Sequence, residues 1–278
     1  GRRRPSGLTL RWAFCSPGRR RGVRQFSAEY LETTREGMWA DSREPLEPLG
    51  LADCDRVLDV GAGVGALTRV LREETRGQVV ALDADPTLLE RVADPRVRGD
   101  ATRLPFRDDV FDLVVCQALL VNLPDPVEAI REFARVARGR VAAIEPDNSA
   151  VAIDSTVEGE PPLARRARER YLDGVATDAA LGAARDTFER AGLADVAVRR
   201  YEHARTIEPP YSERDVEAAK RKASGEGLAE DRETMLAGDT TPEEFDDLRQ
   251  AWRAMGRDVV AQMADREYRQ TETVPFFV

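Results

Sequence analysis

The residues that could do chemistry gather at the ends of three successive apolar runs. The first run, Val57-Leu58-Asp59-Val60, leads into Gly61-Ala62-Gly63-Val64-Gly65. Glycines at this spacing let a backbone turn sharply and pass close to a ligand, with no Cβ in the way. The second run ends in Ala81-Leu82-Asp83-Ala84-Asp85. An acid at that place can accept both hydroxyls of a ribose. After the third run comes Gly99-Asp100-Ala101. Asp100 can accept the exocyclic amine of an adenine with Ala101 beside it, or it can simply close a turn. Asp59, two residues before the first glycine, suits a cationic or amino-bearing ligand and repels a pyrophosphate.

The glycine loop alone is weak evidence. Nicotinamide and flavin enzymes carry a similar loop, and Ala66 satisfies their third small position. The loop by itself therefore leaves a dehydrogenase and a methyltransferase both open. Three acids at three successive strand ends are less easily dismissed. They fall on one sheet edge, the edge at which open α/β sheets bind ligands.

The elements that must position these residues follow from periodicity. Residues 56–60, 78–82, 97–99, 110–116 and 141–144 read as strands. Residues 66–76, 87–92 and 126–138 read as helices, with Leu67, Val70 and Leu71 marking the first and Val127, Ile130 and Phe133 the last. This alternation predicts a parallel sheet with helices on both faces. The rhythm changes after Pro146. Helices are predicted over 161–173 and 181–191, a strand over 196–207, and a polar irregular stretch over 212–240. A long helix follows over 242–268, with Phe245, Leu248, Trp252, Met255, Val259 and Met263 in one stripe. Residues 273–278 read as a final strand.

Composition narrows the function. The chain has 278 residues, 42% of them hydrophobic, enough for a real core. Its net charge is −9. The first 24 residues hold eight Arg and no acid, so the remainder carries −17. An acidic body disfavours nucleic acid as the main partner. Only two of the 42 basic residues are Lys, which fits a salt-adapted cytoplasm or a GC-rich genome equally. The three Cys show no paired spacing and His203 is the sole histidine, so no metal site or disulfide framework is expected. No apolar run reaches the ~20 residues of a membrane span, and a cytoplasmic location is expected. Residues 1–24 read as a basic, disordered extension outside the folded body.

Taken together, VLDVGAGVGALTRVL, VVALDAD, GDATRLPF, FDLVVCQALLVNLPDPVEAIREFARV and GRVAAIEP resemble the class I small-molecule methyltransferases called type 11, akin to those acting on quinones and sterols. The resemblance covers residues 55–147 and implies a Rossmann-like, seven-stranded sheet with its last strand antiparallel. It places the methyltransferase domain at 25–278, with a core at 50–148 and substrate-side helical insertions at 149–190 and 208–268. It also implies S-adenosylmethionine as methyl donor. Asp59, Gly61, Ala62, Gly63 and Gly65 would hold the methionine part, and Asp83 with Ala84 the ribose. Asp100 and Ala101 would flank the adenine, and Cys116 and Gln117 would line the sulfonium. Where the family often has His-His before Leu-Pro, this chain has Val121-Asn122, so histidine-based catalysis is not expected. The absence of an Asp/Asn-Pro-Pro-aromatic motif at 116–119 disfavours methylation of base amino groups.

Methyl transfer from a sulfonium needs alignment and dryness more than a conspicuous base. The acceptor side accordingly shows no signature. Its candidates are Tyr30, Trp39, Asn122 and Tyr171. The N-terminal helices also offer Arg35 and Arg43, and the turn after the fifth strand Glu145, Asp147 and Asn148; for several of these a packing or solvated role competes. The leading expectation is methyl transfer to a small molecule. An NAD(P)-dependent oxidoreductase and a non-catalytic binding module are the alternatives.

Overall fold

The computed structural model describes residues 38–175, 177 and 184–278. The basic stretch 1–24, Tyr30 and Arg35 lie outside the described residues. The described chain divides into two compact units. One comprises residues 38–148, 184–203 and 274–278; the other comprises 149–175 and 204–273.

The first unit is built on a sheet. Its parallel strands are β1 (Arg56–Val60), β2 (Gln78–Asp83), β3 (Arg96–Arg98), β4 (Phe111–Gln117) and β5 (Ala137–Pro146), in the order β3-β2-β1-β4-β5. The last strand, β8 (Gln270–Phe277), runs antiparallel to β5, with Glu145 opposite Phe277 and Pro146 opposite Phe276. β7 (Arg200–Ile207) pairs with β8. Just beyond their ends, Arg199 and Val278 exchange both backbone hydrogen bonds at 2.8 and 2.9 Å, the signature of antiparallel pairing. The seven expected strands and the antiparallel last strand are therefore present, in a Rossmann-like arrangement.

Successive side chains of β1 and β4 point to opposite faces, and each face has its own core. Leu58, Val60, Val114 and Cys116 pack with Ile130 and Phe133. Val57, Leu113 and Val115 pack with Leu67, Leu71 and Ile144. Ile144 belongs to β5, and the other partners come from the helices α2 (Ala66–Glu74) and α4 (Pro126–Val136); a short α1 (Met38–Asp41) precedes them, and α3 (Pro86–Leu89) lies between. α4 begins at Pro126 because Asp125 caps it, accepting from the Glu128 N–H, and because proline at the first position gives up no needed donor. It ends two residues earlier than predicted, since Ala137 already enters β5. The helix predicted over 181–191 is described as α6 (Arg185–Arg190).

The second unit is mostly helical. It contains α5 (Glu160–Asp173), α7 (Glu213–Ser224), α8 (Glu226–Glu230), α9 (Arg232–Ala237) and α10 (Pro242–Ala264). The stripe on α10 is buried as its spacing requires, and it packs with Ala164, Ala167, Tyr171 and Met235. Two expectations need correction. Residues 212–240 are three helices, not an irregular stretch. α7 opens with a capping box formed by Ser212 and Asp215, and Gly225, at φ +68°, divides it from α8. The buried apolar positions on α7 are only Ala218 and Ala219, so its hydrophobic period is faint. Alanines also let helices approach closely: a Cβ on Gly256 of α10 would lie 2.3 Å from the α7 backbone. The second correction is an eighth strand, β6 (Ala152–Ser155), at the start of what was read as a helical insertion. It pairs antiparallel with the first half of β8.

This unit also buries an ionic cluster. Glu160, 1% exposed, accepts from Ser155 Oγ at 2.6 Å, Tyr268 Oη at 2.9 Å and Gln270 Nε2 at 3.3 Å, and from Lys222 Nζ. A buried carboxylate is tolerated when its lone pairs are met in this way.

Candidate functional site

The carboxyl ends of β1, β2 and β4 bring the glycine loop and its acids together. The loop is pinned to β2: the Gly61 and Ala62 N–H groups both donate to the Leu82 carbonyl, at 2.8 and 3.0 Å. Gly61, Gly63 and Gly65 have φ of +72°, +55° and +78°, which a side-chain-bearing residue adopts only at a cost. At Gly61 space is short as well, for a Cβ there would lie 2.9 Å from Leu119 Cδ1. Gly65 then starts α2, so the loop delivers the chain into a helix as the spacing predicted.

Asp59 is 1% exposed, and its Oδ2 accepts from Thr68 Oγ1 at 2.6 Å. Asp83 accepts from the Gly63 N–H at 2.8 Å and the Asp85 N–H at 2.9 Å, tying β2 to the loop. Burial raises the Asp83 pKa above the ordinary carboxylate value, against the opposing pull of those N–H groups. A carboxylate offers about four lone-pair positions, so two N–H bonds leave room for two hydroxyls. Ala84, next in line, accepts from Arg98 Nε at 3.4 Å. Asp100 is exposed; its Oδ1 accepts from the Thr102 N–H and hydroxyl, both at 2.8 Å, so it does close a turn. Ala101 is buried beside it.

On the other side of β1, Cys116 has no exposed surface. Its thiol donates to Glu145 Oε1 at 3.6 Å, and burial pushes its pKa well up. It is a core thiol in this structure and presents no surface at the edge. Gln117 is buried and donates through Nε2 to Met38 Sδ at 3.1 Å.

The acceptor-side candidates separate. Trp39 is 6% exposed and packs with Leu46 and Leu49, while its indole N–H meets no acceptor. Arg43 pairs with Glu73 and Glu74 at 2.7 and 2.9 Å, the solvated-face role. Asn122 is 7% exposed at the end of the turn after β4. Tyr171 lies 2% exposed in the core of the helical unit, not in the sheet unit that carries the glycine loop.

Two features of the turn after β4 escaped the sequence reading. Ala118 has φ +49°, a left-handed conformation that its residue type does not announce. Glu145 holds the turn that follows. Its carboxylate accepts from the Leu119 and Leu120 N–H groups, both at 3.0 Å, and from Val121 N–H at 3.2 Å. Burial raises its pKa while these N–H groups oppose the rise. A third, Thr68, was findable, since it lies one turn inside α2 and faces the Asp59 carboxylate.

The edge fits a ligand that carries an ammonium or sulfonium charge and a vicinal diol. Asp59 and Asp83 supply negative charge, and the three left-handed glycines allow close backbone approach. The comparison with known families agrees. Residues 58–144 match the family model described as a methyltransferase domain. Within these residues lie Asp59, the glycine loop, Asp83, Asp100, Cys116 and Asn122. The chain is 40% identical over 117 residues to a demethylmenaquinone methyltransferase from Mycolicibacterium paratuberculosis, covering 40% of this chain and 50% of that protein. It is 42% identical over 118 residues to one from Mycobacterium sp. strain KMS, covering 40% and 51%. It thus spans about half the length of the curated relatives it matches. Among solved structures, a Haemonchus contortus N-methyltransferase in complex with phosphomonomethylethanolamine and S-adenosylhomocysteine is 16% identical, with 91% of this chain and 58% of that one covered and a TM-score of 0.48. An S-adenosylmethionine-dependent methyltransferase from Aquifex aeolicus is 19% identical, with 66% and 93% covered and a TM-score of 0.43. Among the described residues, no helix is long and apolar enough to cross a membrane.

Proposed function

We propose that this chain transfers a methyl group from S-adenosylmethionine to a small, quinone-like acceptor in the cytoplasm, where that donor is made. The reading rests on one observation: inside the methyltransferase domain, a buried Asp59 and a loop-bound Asp83 flank three left-handed glycines. A pyrophosphate placed against those carboxylates would be repelled, which disfavours a dinucleotide. The donor supplies a methyl group already activated by its sulfonium. Asp59 balances the positive charge of its amino-acid end. Asp83 accepts the ribose hydroxyls while holding the loop through the Gly63 N–H. Asp100 and Ala101 border the adenine. Gln117, with Cys116 behind it, closes the wall near the sulfur. The quinone-like acceptor class is supported by the names of the matched relatives.

Calorimetric titration of the full chain with S-adenosylhomocysteine and, separately, with NAD(H) and NADP(H) tests the proposal. Saturable binding of the first with no uptake of the nicotinamides is the expected result. Tight NAD(P) binding with no S-adenosylhomocysteine binding would overturn it.

A further inference from the structure

The turn between β4 and α4 carries a buried polar atom that no described residue meets. Asn122 is 7% exposed, and its Oδ1 has no hydrogen-bond partner among the described residues. The amide is fixed by its other half, for Nδ2 donates to the Ala118 carbonyl at 2.9 Å. Turning the amide over would set its oxygen against that carbonyl oxygen, so the unmet group is the acceptor. A buried acceptor left unmet forfeits the hydrogen bonds it made to water in the unfolded chain. Such a cost, with the side chain locked and the turn braced at its three preceding N–H groups by Glu145, marks a place prepared for a donor from outside the protein.

The location supports that reading. Leu119, on the same turn, lies against Gly61 of the donor loop closely enough to exclude a Cβ there. We infer that Asn122 is an acceptor-binding residue, whose Oδ1 takes a hydrogen bond from a neutral hydroxyl on an apolar methyl acceptor, such as an aromatic diol. This inference rests on the methyltransferase reading above and narrows its substrate class. Neutrality follows from the surroundings. An anionic acceptor would approach a turn that already holds the Glu145 carboxyl group, with no cation to meet it among the described partners of that turn. Leu120, Val121 and Leu123, on the same turn, pack into the core with Ile130 and Phe133, so the amide lies in an apolar setting. Oδ1 is closed off from bulk water, so the acceptor meets it only in a closed, dry complex, the condition methyl transfer itself requires.

The test uses the full chain saturated with S-adenosylhomocysteine, whose uptake is measured first. Two probes follow under anaerobic conditions: 1,4-dihydroxynaphthalene, which has hydroxyl donors, and 1,4-dimethoxynaphthalene, which has none. The wild type is expected to bind the diol about tenfold more tightly than the diether. Asn122→Ala is expected to erase that preference by weakening the diol alone, with S-adenosylhomocysteine affinity unchanged. Equal affinity of the wild type for both probes, or no binding of either, overturns the inference even if the variant fails to fold. So does an Asn122→Ala protein that loses both probes equally or loses S-adenosylhomocysteine, since Asn122 would then serve the fold or the donor. A wild type that takes up no S-adenosylhomocysteine fails at the first measurement, and overturns the donor reading and this inference together.

Discussion

Asp83 holds the glycine loop and, in the proposed reading, the ribose as well, and replacing it should separate the two roles. In Asp83→Ala the Gly63 and Asp85 N–H groups lose a charged acceptor at 2.8 and 2.9 Å. Bonds to charged groups contribute about 1.5–3 kcal/mol each, but these donors sit in a partly open loop and can turn to water, so about 1 kcal/mol each is the net loss. For a chain of this size the melting temperature should then fall by roughly 4–8 °C. The donor loses more. Two ribose hydroxyls bound to one carboxylate contribute about 3–4 kcal/mol, and with tenfold in affinity per 1.4 kcal/mol the S-adenosylhomocysteine Kd should rise roughly 100- to 1,000-fold. Calorimetry and a thermal melt on the same samples read both effects. Asp83→Asn keeps one acceptor oxygen and should fall between. The pH profile adds a check on sign. Burial raises this carboxyl's pKa, so its contribution to stability is complete below the ordinary carboxylate value of 3.8 and is lost as pH rises through the raised one. Donor affinity should move the opposite way, growing as the acid ionises. A folded Asp83→Ala protein that binds S-adenosylhomocysteine as the wild type does would refute the ribose assignment.

Two further predictions concern other acids. Asp112 accepts from Arg138 Nε at 2.7 Å and from the Asp55 and Arg56 N–H groups, which together hold its pKa near 2 instead of 3.8. Its contribution, about 1–2 kcal/mol after solvent screening, is present above pH 3.8 and lost as pH falls through 2. Asp112→Asn should therefore melt earlier than wild type at neutral pH and together with it in strong acid; a gap that persists there would contradict this. Lys222→Met strands the buried Glu160 carboxylate and should cost about 3 kcal/mol, while Glu160→Gln with Lys222→Met should recover most of it. Denaturant melts at low and molar salt should show the same difference, and a single variant costing under about 1 kcal/mol would count against a strict need for the pair.

The sheet was legible because strands buried on both faces are plain apolar runs, and because left-handed turns demand glycine. β4 and the Gly61–Gly65 loop are examples. Elements that bury alanine were not legible. α7 hides Ala218 and Ala219 among charges, so a periodicity built on large side chains saw only polarity over 212–240. β6 was missed for a related reason, since only Ile153 of its four residues is a large apolar residue. Residue type also misled where burial decided the role. A cysteine and a tyrosine invite chemistry, yet Cys116 and Tyr171 are packed away inside their units.

The candidate site divides along the same line. The proposed donor side is declared in the sequence by glycines and by acids at successive strand ends. The proposed acceptor side depends on a turn whose shape is fixed from elsewhere. Ala118 is left-handed without being glycine, and the N–H groups that would otherwise be stranded after it go to Glu145, 24 to 26 residues further along the chain. No local pattern can encode that arrangement. Its consequence, an asparagine locked with one oxygen unmet, becomes visible only once β5 has been laid beside β4. A sequence can therefore point to its donor and be mute about its acceptor, because the proposed donor side is written in glycines and acids that close successive strands, and the proposed acceptor side in the register of two strands.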